Sequence, residues 1–178
     1  MKKDDIQTFS YRITQANRTQ LVVITLDMAV QYIKDAKEDQ DINSYRQNLR
    51  NAKRVIDTLV SSLDMSYDIS SQLFDVYMVV ERYIISAGSR RTEQEGSTLK
   101  PEGITAKPED SMAGYMKLLE SCERMLTMLR KSFYEVSKTD DSAPLMQNTQ
   151  QVYAGLTYSN GGGASEMLDA GANRGYKA

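Results

Sequence analysis

The sequence contains no histidine and no tryptophan, and it has a single cysteine, Cys122. Histidine is the commonest general base and the commonest metal ligand, so its absence excludes most catalytic templates and the di-iron sites of helical bundles. One cysteine cannot form an internal disulfide, which agrees with a reducing compartment. We therefore expect no enzyme activity, no cofactor and no metal site, and we interpret Cys122 as a packing residue.

The sequence also lacks a large excess of charge of either sign, and it lacks long apolar runs. The chain has 22 Lys and Arg residues against 24 Asp and Glu residues, so no strong field attracts phosphate backbones. Its longest aliphatic run, Leu21-Val22-Val23-Ile24, is far shorter than the roughly 20 residues that span a bilayer. The first residues include lysines but no following apolar stretch, unlike a signal peptide. We expect a cytoplasmic protein with no nucleic-acid partner and no membrane insertion.

Apolar residues instead recur at spacings of three and four in four segments, which is typical of amphipathic α-helices. Asn17 and Ser44 each open a predicted capping box, Gly88 is predicted to end the third helix, and Pro108 suits the first turn of the fourth. The predicted core contains one apolar stripe from each helix, including Leu26, Ile33, Leu49, Ile56, Leu63, Leu73, Val80, Leu119, Leu126 and Phe133.

Four such helices, three of them joined by short turns, predict an all-α fold in which residues 17–138 form an antiparallel four-helix bundle. Residues 88–107 carry glycine, proline and charged residues, which predicts a long exposed loop between the third and fourth helices. Residues 139–178 are rich in Gln, Asn and Gly and are predicted to form a flexible tail.

The N-terminal segment, residues 1–16, shows a different pattern. Phe9, Tyr11 and Ile13 alternate with polar residues, and period-two alternation predicts an extended strip with one apolar side. Such a strip could lie over apolar surface and regulate access to it. A frayed terminus is the alternative.

More apolar surface is present than the stripes require. On the third helix, Phe74, Tyr77 and Ile84 flank the predicted core stripe. These residues either widen an ordinary core or border a groove for a partner helix, since surfaces rich in methionine and tyrosine re-pack around amphipathic helices. Both interpretations stay open at this point.

Taken in order, the segments resemble the FliS-type flagellin export chaperones. The resemblance is carried by five blocks: Tyr11 with Thr14 and Ala16; Leu26-Asp27-Met28-Ala29-Val30; Asn51 to Ile56 with Leu59 and Ser62-Leu63-Asp64; Leu73 with Tyr77; and Leu129-Arg130-Lys131-Ser132-Phe133. Their order and separations match those of the family.

The resemblance implies a chaperone that binds the disordered C-terminal segment of flagellin as helices in surface grooves. It also implies that the chaperone prevents premature polymerisation and delivers flagellin to the membrane export gate. The residues expected to bind the partner are Tyr11, Leu21, Phe74, Tyr77 and Ile84. The alternative is a structural bundle that self-associates through the same surplus apolar stripe.

Overall fold

In the computed structural model the described residues are 3–96 and 108–146, with side chains described for residues 4–91 and 114–146. They form five α-helices: α1 (Lys3–Thr14), α2 (Arg18–Glu38), α3 (Ile42–Ser61), α4 (Asp68–Gly96) and α5 (Pro108–Ser137). The all-α class is thus confirmed for the described part of the chain. The antiparallel order of the bundle stays a prediction, and residues 97–107 and 147–178 lie outside the described residues.

The starts of α2 and α3 are fixed by side-chain caps. Asn17 Oδ1 accepts the Gln20 amide at 2.8 Å and the Asn17 amide donates to Gln20 Oε1 at 3.0 Å, as the sequence predicted. The expected start of α3 at Ser44 is wrong, because Asp41 Oδ2 accepts the Ser44 amide at 2.8 Å and α3 begins at Ile42. This backbone hydrogen bond from Ser44 holds the pKa of Asp41 below its ordinary value.

Helix α4 does not end at Gly88 as predicted but continues to Gly96, so part of the expected loop 88–107 is helical. The added turns carry Arg91, whose guanidinium donates to the carbonyl oxygens of Asp39 at 2.8 Å and Gln40 at 2.7 Å. These acceptors lie just past the C-terminal end of α2, where a helix dipole favours positive charge. The contact explains why the helix continues through a glycine.

The core is built where α2 and α4 each pack against both α3 and α5. All ten residues of the predicted core belong to it or pack against it, and Leu63, Leu73 and Phe133 are the partly buried ones. Cys122 is also part of the core, with Sγ 3.6 Å from the Val80 carbonyl oxygen. Burial raises the pKa of the Cys122 thiol to about 12, so it stays protonated at neutral pH.

The buried face of α4 differs from the predicted stripe. Tyr77 and Ile84 were expected beside the core, but they lie in it, with 1% and 2% of their surface exposed. Ile69, which lies four residues before Leu73 and so in line with the predicted stripe, is 57% exposed. The buried face contains Tyr77, Val80, Ile84, Ala87 and Arg91, and on this face Arg91 reaches the end of α2.

The N-terminal segment is a helix and not the extended strip that period-two alternation suggested. Asp4 and Asp5 lie in the first turn of α1 and Arg12 in the last, as the helix dipole favours. Helix α1 contacts α2. The hydroxyls of Thr8 and Ser10 donate to carbonyl oxygens one turn earlier, which satisfies them within the helix.

The first residues after α5 are tied to the start of α2, so the predicted flexible tail does not begin at residue 139. Asn17 Nδ2 donates to the Asp140 carbonyl oxygen at 2.9 Å, and the hydroxyl of Thr19 donates to Asp140 Oδ2. The Leu145 amide donates to the Ala16 carbonyl oxygen at 3.1 Å. The remainder of the predicted tail, from residue 147, lies outside the described residues.

Candidate functional site

Two surface grooves in the described part of the chain combine apolar and charged side chains. The first, called here the α3–α4 groove, has a volume of about 470 Å³ and is lined by Arg46, Leu49, Arg50, Lys53, Ile84, Ile85, Gly88 and Ser89. Its base is apolar, since Leu49 and Ile84 are buried core residues. Ile85 is 52% exposed and offers apolar surface that the fold itself does not cover.

The rim of the α3–α4 groove is basic. Arg46, Arg50 and Lys53 are four and three residues apart, so they share one face of α3. Lys53 Nζ lies 2.8 Å from Glu81 Oε1 and 2.9 Å from Asp57 Oδ1. Hydrogen bonds to Glu81 and then Asp57 raise the pKa of Lys53 above its ordinary value. No carboxylate occurs among the described residues that line the groove itself.

The second groove, called here the α1–α2–α5 groove, has a volume of about 370 Å³. Its apolar lining includes the buried side chains of Val23 and Ile24, and the exposed rings of Tyr11 and Tyr134 flank it. Val23 and Ile24 are buried without belonging to the main core cluster of the bundle. They therefore form apolar surface of α2 in the region that α1 helps to cover.

Asp27 joins the three helices around this second groove. Arg12 Nη2 of α1 lies 2.7 Å from Asp27 Oδ2, and Arg130 Nε of α5 lies 2.6 Å from Asp27 Oδ1. Both arginine side chains are more than a third exposed, so each pair contributes about 0–1 kcal/mol. Helix α1 is consequently held by modest contacts rather than by deep burial.

The five residues expected to bind the partner do not form one site. Tyr11 lines the α1–α2–α5 groove, and Ile84 lines the α3–α4 groove from the core. Tyr77 is a core residue and does not offer side-chain surface. Leu21 and Phe74 are half-buried on α2 and α4 and are not among the described lining residues of either groove.

Sequence reasoning missed the residues that give the α3–α4 groove its character, namely Ile85 on α4 and the basic rim of α3. The basic rim had a signal in the sequence, because Arg46, Arg50 and Lys53 follow helical spacing. Ile85 had none, since its exposure depends on which face of α4 is buried.

The two grooves offer surface on which a partner can bind. Within residues 4–91 and 114–146 there is no cluster of three or more Cys, Asp or Glu side chains that could hold a metal ion. None of the helices, as far as they are described, is long and apolar enough to cross a membrane. What the grooves offer is apolar surface beside fixed charge, the combination that accepts an amphipathic helix.

Comparison with known proteins identifies a family. A family model described as flagellar protein FliS matches residues 4–100, which is more than half of the chain. The matched stretch contains α1 to α4 and every described residue that lines the α3–α4 groove. No curated protein and no solved structure gives a significant match.

Proposed function

The chain belongs to the FliS family of flagellar proteins, and from that premise we propose that it is a cytoplasmic export chaperone for flagellin. In this proposal it takes the disordered C-terminal segment of flagellin, lets that segment form helices in surface grooves, and prevents premature polymerisation. The loaded chaperone then delivers flagellin to the membrane export gate. The observation that carries the proposal is the family match across α1 to α4.

The α3–α4 groove is the proposed binding surface for a flagellin helix. Apolar residues of that helix would cover the exposed side chain of Ile85 and lie over the groove base, which the buried Ile84 helps to form. This is helix-in-groove recognition, in which apolar burial supplies affinity. Ordering a disordered segment costs about 2–5 kcal/mol of the gross interaction energy, so the complex can be tight and still release its cargo.

Tyr11, Leu21 and Phe74 remain proposed contacts along the path of a longer flagellin segment. Tyr11 is exposed at the α1–α2–α5 groove, while Leu21 and Phe74 present partly exposed apolar surface on α2 and α4. A segment with more than one helix could contact both grooves. Tyr77 is no longer proposed as a contact, because its side chain is buried.

Titration calorimetry of a flagellin C-terminal peptide into the full chain tests the proposal. Ile85→Asp should weaken binding while circular dichroism stays helical, because Ile85 is exposed at the groove. Met128→Asp on α5 is the matched control, since Met128 is also an exposed apolar residue and does not line the groove. No binding by the parent chain would contradict the proposed function.

The alternative function, a bundle that self-associates, is separated by measuring mass in solution with and without the peptide. A chaperone gains the mass of the peptide. A self-associating bundle instead forms oligomers without the peptide, and Ile85→Asp should then dissociate them if the same surface is used.

A further inference from the structure

Helix α3 is a basic exception in a nearly neutral chain. The whole sequence has 22 basic and 24 acidic residues, whereas α3 has four basic residues and one acidic residue. Three of the four, Arg46, Arg50 and Lys53, line the α3–α4 groove beside its apolar base. The positive charge is therefore concentrated where a partner helix would lie.

The basic side chains of the two grooves have different partners. In the α1–α2–α5 groove, Arg12 and Arg130 both pair with the carboxylate of Asp27. At the α3–α4 groove, Lys53 has the carboxylates of Glu81 and Asp57, but exposed Arg50 donates to the neutral amide oxygen of Gln47 at 2.7 Å. An incoming carboxylate can replace that amide as a stronger, charge-assisted acceptor.

We propose that the α3–α4 groove selects a flagellin helix whose apolar stripe is flanked by carboxylates, with those carboxylates placed against Arg50. This inference rests on the proposed function and adds to it the chemistry of the bound segment. A helix with the same apolar stripe and no acidic flank loses these contacts.

Gly88 lines the α3–α4 groove and, because it has no side chain, leaves space there for a partner. Glycine is unfavourable in a helix interior, yet α4 continues for two turns beyond it. A Cβ atom added at Gly88 would meet the Leu49 Cδ1 atom at 3.5 Å, an ordinary van der Waals contact. Alanine is therefore accommodated in the free protein, but its methyl group occupies space in the groove. Gly88→Ala should raise the thermal midpoint and weaken the binding of a helix.

The test uses three synthetic amphipathic peptides with one apolar stripe and Glu, Gln or Lys at the flanking positions. Titration calorimetry into the full chain should give the highest affinity for the Glu peptide at 0.1 M salt. The advantage over the Gln peptide should shrink at 1 M salt, where the Debye length falls from about 10 Å to 3 Å. Rim charges act through this salt-dependent attraction.

Charge reversal identifies the residue that is responsible. Arg50→Glu removes one attraction and adds one repulsion, which should lower affinity for the Glu peptide roughly 2- to 30-fold and raise it for the Lys peptide. Arg124→Glu changes the net charge equally from an exposed position on α5 and should leave both affinities unchanged. Equal affinities of the parent for the Glu and Gln peptides, or no effect of Arg50→Glu, would overturn the inference.

A parallel titration with the C-terminal segment of the cognate flagellin separates the two proposals. Equal binding of that segment to parent and Arg50→Glu overturns the charge selection and leaves the chaperone function standing. If the flagellin segment does not bind to the parent chain, both the chaperone function and the charge selection are contradicted, whatever the affinities of the synthetic peptides. A dimer of the free chain that Ile85→Asp dissociates would assign the groove to a second copy and overturn the inference as well.

Discussion

The guanidinium of Arg91 lies 4.3 Å from the centroid of the Tyr45 ring, so a cation of α4 stacks on an aromatic ring of α3. The Tyr45 hydroxyl donates to the Ala87 carbonyl oxygen at 3.1 Å, and its ring meets Tyr115 of α5 edge-on at 5.8 Å. Burial raises the pKa of Tyr45 well above its ordinary value, although nearby Arg91 opposes the shift. The phenol therefore stays a neutral donor.

Replacing Arg91 with Ala should lower the free energy of unfolding by about 2 kcal/mol, because it removes charge-assisted hydrogen bonds to two carbonyl oxygens and a stacked cation. Arg91 is 8% exposed, so water cannot fully replace these contacts. Urea unfolding followed by circular dichroism measures the change. Arg82→Ala, at an exposed arginine of the same helix, is the control and should change stability by less than about 0.5 kcal/mol. Equal effects of the two substitutions would contradict the assigned role.

Much of the bundle could be predicted because its signals are local. The cap at Asn17 and the stripes of α2, α3 and α5 depend on residues within one or two turns. The buried face of α4 could not be predicted in this way, because apolar residues occur on more than one face of this helix. In both candidate stripes they recur at spacings of three and four residues. The buried face packs against other helices and places Arg91 against residues 39 and 40, so the partners that distinguish the two stripes are distant in sequence.

The N-terminal segment and the site show the same limit. Phe9, Tyr11 and Ile13 fit a strand period, but α1 is a helix whose position involves Arg12 pairing with Asp27 fifteen residues later. A groove depends on two helices at once, so the basic face of α3 was visible in the sequence while its apolar neighbour Ile85 was not.

Replacing Leu126 with Ala should destabilise the fold by about 2–5 kcal/mol, since Leu126 is fully buried in the core and the substitution leaves a cavity. Met128→Ala, two residues away and exposed, is the control and should cost less than about 0.5 kcal/mol. The midpoint of urea unfolding measures both. An unchanged midpoint for Leu126→Ala would show that the stripe of α5 is misassigned.

Substitution by aspartate should affect stability very differently at two neighbouring isoleucines. Ile84→Asp places a charge in the core without a partner and should cost about 3–5 kcal/mol, whereas Ile85→Asp should leave stability nearly unchanged because Ile85 faces solvent. Thermal unfolding of both variants makes the comparison. Similar midpoints for the two would mean that the buried face of α4 is wrongly assigned.

Asp140 should make part of the stability depend on acid pH. Hydrogen bonds from Ser142 and then Thr19 lower the pKa of Asp140 from 3.8 to about 2, so its ionised form stabilises the fold. This stabilisation is complete above about pH 4 and is lost as the pH falls toward 2. Asp140→Asn should therefore unfold earlier than the parent at pH 7, and the two should converge near pH 2. Asp141→Asn, at the exposed neighbour, serves as the control in the same pH series.

Removing residues 1–13 should tighten flagellin binding. In the full chain, α1 packs on α2 beside Val23 and Ile24 and is held by the partly buried ion pair of Arg12 with Asp27. If flagellin uses this apolar surface, it must displace α1. In a chain that starts at Thr14 the free-energy cost of that displacement is absent. Arg12→Ala in the full chain should produce a smaller increase in the same direction, because it loosens α1 without removing it. Titration calorimetry with a flagellin C-terminal peptide compares the three chains. A weaker complex for the shortened chain would show that the loss of the proposed Tyr11 contact outweighs the release of the surface under α1, and identical dissociation constants would show that α1 has no net effect on binding.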